Sequence, residues 1–418
     1  MTGSLSDLNP EQVLTREDKS IGLLCHVVVD RSVQARACGG LRMLADLSVE
    51  ELKELARSMT LKYGFLGKPM GGAKAGIVVS RDLSGEKRKL FFRRFGELFA
   101  SELKSGRYQT GTDMGTRPED LLDVMAGAGI RFSAEEIQPA YRSGLYTAFG
   151  VGAAIEAAAA HRTVDLSKST IVIEGFGSVG SQLARWMVRN KGAKVTGIST
   201  EKGALYRPSG LDVDSLIRLQ KEHGDDCVTH YTDAQKLSPE ELLTVRSDVL
   251  SACARPKTIH AGNVGKLQCK IVCGAANYPV TYEAEGVLFE KGVLSVPHFV
   301  ASIGGVVGGN LESAGVGSRF IQHFLRRQIS PFLRELFSVS EKKRVPMIFL
   351  AERYAMRRME RLVLLDDHSR LRQRVRRRLR HWMDRKRLPG IAARPLAGVY
   401  LDQRFGLDKG LLADIECV

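Results

Sequence analysis

The ten residues IVIEGFGSVG, Ile171 to Gly180, constrain the fold of this chain more than any other stretch. An apolar run of strand character ends in G-x-G-x-x-G, and an amphipathic segment, SQLARWMVRN, follows at once. Strand, glycine turn and helix in direct succession form the context that gives this pattern meaning. Gly175 permits a tight turn, Gly177 lets the backbone approach a pyrophosphate, and Gly180 lets the helix pack on the strand, with Ser178 and Val179 between them. The free N–H groups and the positive dipole end of that helix favour phosphate. A dinucleotide site is the expectation.

The flanking pattern agrees. From Ser143 to residue 301, short apolar runs (STIVIEGFG, AKVTGIS, SDVLSAC, CKIVCGAAN, GVLSVP) alternate with helical segments. That alternation predicts a parallel, doubly wound sheet, a Rossmann-type domain over residues 143–301 in an α/β protein. The second strand, KVTGIS, runs into STEKG, where an acid accepts from the 2′-hydroxyl of an adenosine ribose. Glu201 can do so, while Lys202 and Arg207 can instead receive a 2′-phosphate. NAD or NADP fits, and Glu201 inclines the reading to NAD.

Residues 1–142 read as a mixed α/β domain. LLCHVVVD and AGIVVS are strand-like, and SVEELKELARSMTLKYGF is an amphipathic helix with a capping box, Ser48 followed by Glu51. A second helix is expected from about Glu86 to Lys104. Residues 302–363 read as helices that complete the first domain, and 364–418 as a basic helical extension beyond a linker at Leu388–Gly398. The seven cysteines are odd in number and form no C-x-x-C pair, so free thiols are expected and no metal site. No window of about eighteen apolar residues is present. The polar start, MTGSLSDLNPEQ, lacks the apolar run of a signal peptide, so a cytoplasmic protein is expected.

Net charge is +15, yet it is spread unevenly: residues 364–418 hold 13 Lys/Arg against 7 Asp/Glu. In SRLRQRVRRRLRHWMDRKR an apolar stripe at helical spacing lies among arginines. Packing on its own assembly is one reading. An acidic protein partner, nucleic acid or an anionic membrane are the others, and no nucleic-acid motif or aromatic interleaving favours them.

The stretch KPMGGAKAGI, Lys68 to Ile77, places Lys74 in a glycine-rich turn before an apolar strand. Lys62 lies twelve residues earlier, and GTDMGT puts Asp113 on a loop after a helix. Two lysines and an aspartate, beside a dinucleotide domain, suit oxidation of an amino acid. One ammonium clamps the substrate carboxylate. The other, desolvated and near a like charge, titrates low enough to act as a base, and the aspartate shuttles a proton. The surrounding glycines are expected to let substrate and nicotinamide approach.

These segments resemble the glutamate/leucine/phenylalanine/valine dehydrogenases. The resemblance runs from about Ile21 to Leu362 through GGLRM, MTLKYGFLGKPMGGAKAGI, TDMGT, TAFG, GFGSVG, CGAANYPVT and GGVVGGNLE, in order. It implies reversible, NAD(P)-dependent oxidative deamination of an L-amino acid to a 2-oxo acid and ammonia. It also implies a homo-oligomer, hexamer or octamer, built through the N-terminal domain. By resemblance Lys62 binds the α-carboxylate, Lys74 and Asp113 are catalytic, Thr147 contacts the nicotinamide amide, and Asn277 lies near its ribose.

Departures from the family pattern bear on the substrate. Glutamate-specific members carry a lysine before the first GG pair, where Cys38 stands ahead of Gly39 and Gly40, and a serine where Gly309 stands. Cys38, Gly40 and Gly309 are thus the candidate substrate-side residues. Both polar contacts to a γ-carboxylate are missing, and burying a carboxylate without partners costs on the order of several kcal/mol. Ser302 replaces the asparagine that opens the usual NAGG. An apolar amino acid such as leucine, valine or phenylalanine is the expected substrate. The alternatives are a glutamate dehydrogenase with altered contacts, and a non-catalytic dinucleotide-binding scaffold or regulator working through the basic tail.

Overall fold

The computed structural model describes residues 9–79, 83–313 and 315–364, so the linker and the basic segment after Leu364 lie outside the described residues. Contacts divide the chain into two units. The first gathers the described residues as far as Tyr141 together with those from Arg353, and the second holds Arg142–Leu311 and Val316–Glu352.

In the first unit, β1 (Gln12–Asp18), β2 (Leu23–Val29), β3 (Ala37–Leu44), β4 (Gly71–Val78) and β5 (Tyr108–Thr112) form one sheet in the order β1-β2-β4-β3-β5. The β1–β2 and β2–β4 pairs are antiparallel, and β3 is parallel to both β4 and β5. Strand side chains alternate between faces. Val27, Val29, Leu41, Met43, Ala73, Ala75 and Ile77 therefore share one face, packed on Phe91, Phe92, Phe95 and Phe99 of the following helices. Val28 and Leu44 share the other with Leu52 and Ala56 of the helix Val49–Leu66. The same parity sends Cys38, Gly40, Arg42 and Lys74 toward that helix.

The helix Val49–Leu66 is amphipathic only in its first half. From Ser58 to Leu66 every residue is buried. Ala355 presses on Gly64, where a Cβ would lie 2.2 Å from the Ala355 carbonyl oxygen, and Arg358 donates to the Phe65 carbonyl at 2.7 Å. Lys62, within this stretch, is buried as well. The capping box is half formed: the Ser48 hydroxyl accepts from the Glu51 N–H at 3.1 Å, but the Glu51 carboxylate goes to Arg42 instead of turning back. The second expected helix breaks at Phe99 into Gly85–Leu98 and Ala100–Ser105.

In the second unit, β6 (Thr170–Glu174), β7 (Lys194–Thr200), β8 (Gly203–Tyr206), β9 (Gln235–Leu237), β10 (Val249–Ala252), β11 (Ile271–Cys273) and β12 (Leu294–Val296) give the order β12-β11-β10-β6-β7-β8-β9. The five strands from β12 to β7 are parallel, as the alternating pattern predicts. An antiparallel pair, β8 and β9, extends the edge. Strand order reverses at β6, the kind of switch point where open α/β sheets bind ligands.

The C-terminal helices fall otherwise than expected. Ser318–Lys343 groups with the second unit, because its apolar stripe packs on the helix Ser143–His161, with Phe337 against His161 at 4.8 Å between ring centroids. Of residues 302–363, the first unit takes the short stretch from Glu312 and the part from Arg353. Among the described residues no helix is long and apolar enough to cross a membrane. The six described cysteines are free, and burial pushes Cys25, Cys253 and Cys269 each up to about 12.

Candidate active site and nucleotide-binding motif

Lys74 lies within β4, not in a turn. The neighbouring glycines serve packing, not ligand approach: a Cβ on Gly72 would sit 2.1 Å from the Thr60 nitrogen, and one on Gly71 1.8 Å from the Arg31 carbonyl oxygen. The missing side chain of Gly72 lets β4 run directly beneath the helix that carries Lys62, and Lys74 beside it is buried to 2% exposure.

Asp113 follows a strand, β5, rather than a helix. Its loop is held by Thr116, whose hydroxyl accepts from the Asp113 N–H at 2.8 Å and donates to the Leu41 carbonyl at 2.9 Å. Gly115, at φ +79°, turns the chain, and a Cβ there would lie 2.0 Å from the Met43 carbonyl oxygen. Gly40 is needed beside it, since its Cβ would meet the Thr112 carbonyl oxygen at 2.6 Å and Asp113 at 3.0 Å.

The Lys74 ammonium contacts Asp113 Oδ2. Oδ1 of the same carboxylate accepts from the Met114 N–H at 2.5 Å and from Arg42 at 3.1 and 3.3 Å. Burial holds the Lys74 ammonium well below the usual lysine range, with Arg42 and Lys62 adding repulsion and Glu51 opposing it. Burial alone lowers Lys62 to about 8. Cys38 is half-buried, with the Tyr63 hydroxyl as its polar neighbour. The sheet and helix thus bring Lys62, Lys74, Asp113, Gly40 and Cys38 onto one face.

Arg42 received no role from the sequence, although it lies in GGLRM. The available signal was a charge inside an otherwise apolar strand, ACGGLRML, where burial on one face demands partners. Its side chain is 3% exposed and also binds Glu51 at 2.5 Å.

In the second unit, Gly175 adopts φ +92° and lies against Ala254 just beyond β10, while a Cβ on Gly180 would lie 1.9 Å from the Gly175 carbonyl oxygen. Around Gly177 the space a Cβ would fill is open, with no atom within 4 Å. Two glycines are therefore demanded by the protein itself, and the third leaves the room that a pyrophosphate requires. Ser178 and Val179 complete the turn into the helix Gly180–Lys191. The residues present fit a dinucleotide.

Thr147 is in the helix Ser143–His161, its hydroxyl donating to the Ser143 carbonyl at 2.8 Å. The start of that helix meets the glycine turn, where a Cβ on Gly144 would lie 2.1 Å from Ser178 Oγ. Asn277 follows β11 on a loop fixed by the Ala275 and Ala276 N–H groups, which donate to the Ala252 carbonyl at 2.8 and 3.1 Å. Glu201 is exposed after β7, and Arg255 stands 3.6 Å from its carboxylate. Arg207 pairs with Asp233. Sequence reasoning missed Arg255, which only the adjacency of β10 to β6 brings near. Gly309 has open space around its missing side chain, and the Ser302 hydroxyl bonds back to the His298 carbonyl at 2.7 Å.

The family model described as Glutamate/Leucine/Phenylalanine/Valine dehydrogenase matches residues 142–363, and that of the family's dimerisation domain matches 16–128. A glutamate dehydrogenase of Thermotoga maritima is 30% identical over 328 residues, covering 74% of this chain and 78% of that protein. An NAD-specific glutamate dehydrogenase of Staphylococcus aureus is 31% identical over 326 residues with the same coverage. Among solved structures, a leucine-bound hetero-hexameric glutamate dehydrogenase from Thermus thermophilus aligns with a TM-score of 0.73 at 23% identity, over 87% of this chain and 90% of that one. An L-tryptophan dehydrogenase from Nostoc punctiforme aligns with a TM-score of 0.59 at 22% identity, over 86% and 98%. At these identities the structures establish the shared fold.

Proposed function

We propose, from the premise that this chain belongs to the glutamate/leucine/phenylalanine/valine dehydrogenase family, that it is an amino acid dehydrogenase acting on an apolar L-amino acid through Lys62, Lys74 and Asp113. The observation that carries the chemistry is the buried contact between Lys74 and Asp113, in a setting that favours the neutral amine. Lys62 holds the α-carboxylate as a point charge. A bound nicotinamide supplies the hydride acceptor. Lys74 then takes a proton from the water that adds to the imine carbon, and Asp113 passes a proton to the departing ammonia.

For the dinucleotide, the backbone of Gly175 to Gly180 would hold the pyrophosphate and Glu201 the ribose. Thr147 and Asn277 would lie at the nicotinamide end. Glu201 supports NAD over NADP, whereas Lys202 next to it and Arg255, 3.6 Å from its carboxylate, lean the other way. The family's dimerisation domain supports an oligomer, and by resemblance a hexamer or octamer of this chain.

The apolar preference rests on Cys38 and Gly309. Cys38 offers a thiol, and Gly309 offers room with no donor side chain. A second reading, glutamate as substrate, is favoured by the names of the relatives at 30% and 31% identity. A reductive amination screen with ammonium and NADH or NADPH separates the two. Branched 2-oxo acids, phenylpyruvate or indolepyruvate should exceed 2-oxoglutarate by about 100-fold or more in kcat/KM, the penalty of an unpaired buried charge. Preference for 2-oxoglutarate would establish the second reading. Cofactor binding without turnover on any 2-oxo acid would leave the scaffold.

A further inference from the structure

The Asp113 carboxylate has two oxygens with different company. Oδ2 meets Lys74, whereas Oδ1 is saturated by the Met114 N–H and by two nitrogens of Arg42. The third nitrogen of Arg42 is committed to Glu51, on the first turn of the helix that carries Lys62 at its other end. A guanidinium is a planar fork, able to fix two carboxylates in one geometry where an ammonium would act only as a point charge. With 3% of its side chain exposed, Arg42 has no solvent-facing alternative.

We propose that Arg42 is a positioning residue for the reaction: its fork, anchored on Glu51, holds Asp113 by Oδ1 so that Oδ2 alone is presented to Lys74. The proposal rests on the reading of Lys74 as the base and Asp113 as its partner. It assigns Glu51 a purpose that its half-made capping box leaves unexplained. The charged and titratable groups around Lys74 are Asp113 from the loop after β5, Arg42 and Cys38 from β3, and Lys62 and Glu51 from the helix Val49–Leu66. Arg42 and Lys62 repel its proton, Glu51 and Cys38 attract it, and so does the Asp113 carboxylate in contact with it.

Those opposite signs give the experiment. The pH profile of kcat for oxidative deamination rises as Lys74 loses its proton, so its acidic limb follows that group. Arg42→Gln should move the limb to higher pH, and Glu51→Gln to lower pH. Arg42→Lys retains the charge but not the fork, so it should leave the limb in place. In both Arg42 variants kcat at neutral pH should fall by about tenfold to 100-fold, with KM for the amino acid within about twofold. A merely structural arginine would lower activity without opposed limb shifts.

Limbs that stay put in both Arg42→Gln and Glu51→Gln, or that move the same way, overturn the proposal. Should Arg42→Gln not fold, the downward limb of Glu51→Gln and the unmoved limb of Arg42→Lys decide it. Lys74→Met in the same assay tests the underlying reading separately: turnover retained there would remove the base itself, whatever the Arg42 variants do.

Discussion

Lys62, proposed to hold the substrate carboxylate, shows what burying a lysine costs the fold. Burial lowers its pKa from 10.5 to about 8, so between those values the unfolded chain binds more protons than the folded one. Stability therefore rises with pH across that window. Below about 8 the penalty is present in full, about 3 kcal/mol by linkage. Lys62→Met should accordingly raise the melting temperature at pH 7 and flatten the dependence of stability on pH between 8 and 10.5, as read by thermal melts across that range. The same variant should lose affinity for substrate carboxylates. In the wild type, binding of a non-reacting carboxylate such as 4-methylpentanoate should weaken by about tenfold per pH unit above Lys62's own pKa, because only the ammonium attracts it. A melting temperature that falls on Lys62→Met would mean that the ammonium is stabilised by its surroundings and is no functional reserve.

Among the elements, the glycine turn after β6 was legible from sequence because its glycines sit at a fixed spacing between an apolar strand and a helix that announce themselves by period. The same logic misread the glycines around Lys74. A run of small residues looks alike whether it admits a ligand or another backbone, and only the approach of the helix Val49–Leu66 over β4 distinguishes them. Arg42 and Arg255 stayed silent for a related reason: their partners Asp113 and Glu201 lie far along the chain, brought near by strand pairing that no local pattern encodes. The turn itself offers a clean contrast. Gly177→Ala adds a Cβ where nothing lies within 4 Å, at a φ that any residue adopts. Its melting temperature should match the wild type, while the KM for the dinucleotide rises by about tenfold or more, the added methyl excluding the pyrophosphate. Gly180→Ala places a Cβ 1.9 Å from the Gly175 carbonyl oxygen and should destabilise the fold itself, by about 1–3 kcal/mol in chemical denaturation. Equal loss of stability in both variants would mean that Gly177, too, is a packing residue.

At the scale of the whole molecule, the family match ends at residue 363, and every site residue discussed above precedes it. The residues beyond contribute 13 Lys/Arg against 7 Asp/Glu to a net charge of +15. A charge excess of this kind acts on association and on non-specific binding more than on fold. Turnover and long-range electrostatics should therefore separate on truncation. A chain ending at Leu364 should keep its kcat and its KM for amino acid and dinucleotide within about twofold, while eluting from a cation exchanger at markedly lower salt. At 0.1 M salt, interactions between exposed charges more than about 10 Å apart are largely screened, so any association with polyanions that the full chain shows should be lost both on truncation and on adding salt. If the truncated protein instead loses turnover while light scattering shows a smaller assembly, the extension belongs to the oligomer that supports the site. If turnover is lost with the assembly intact, the extension reaches the site directly. Either loss would extend the catalytic unit beyond the boundary the family shares.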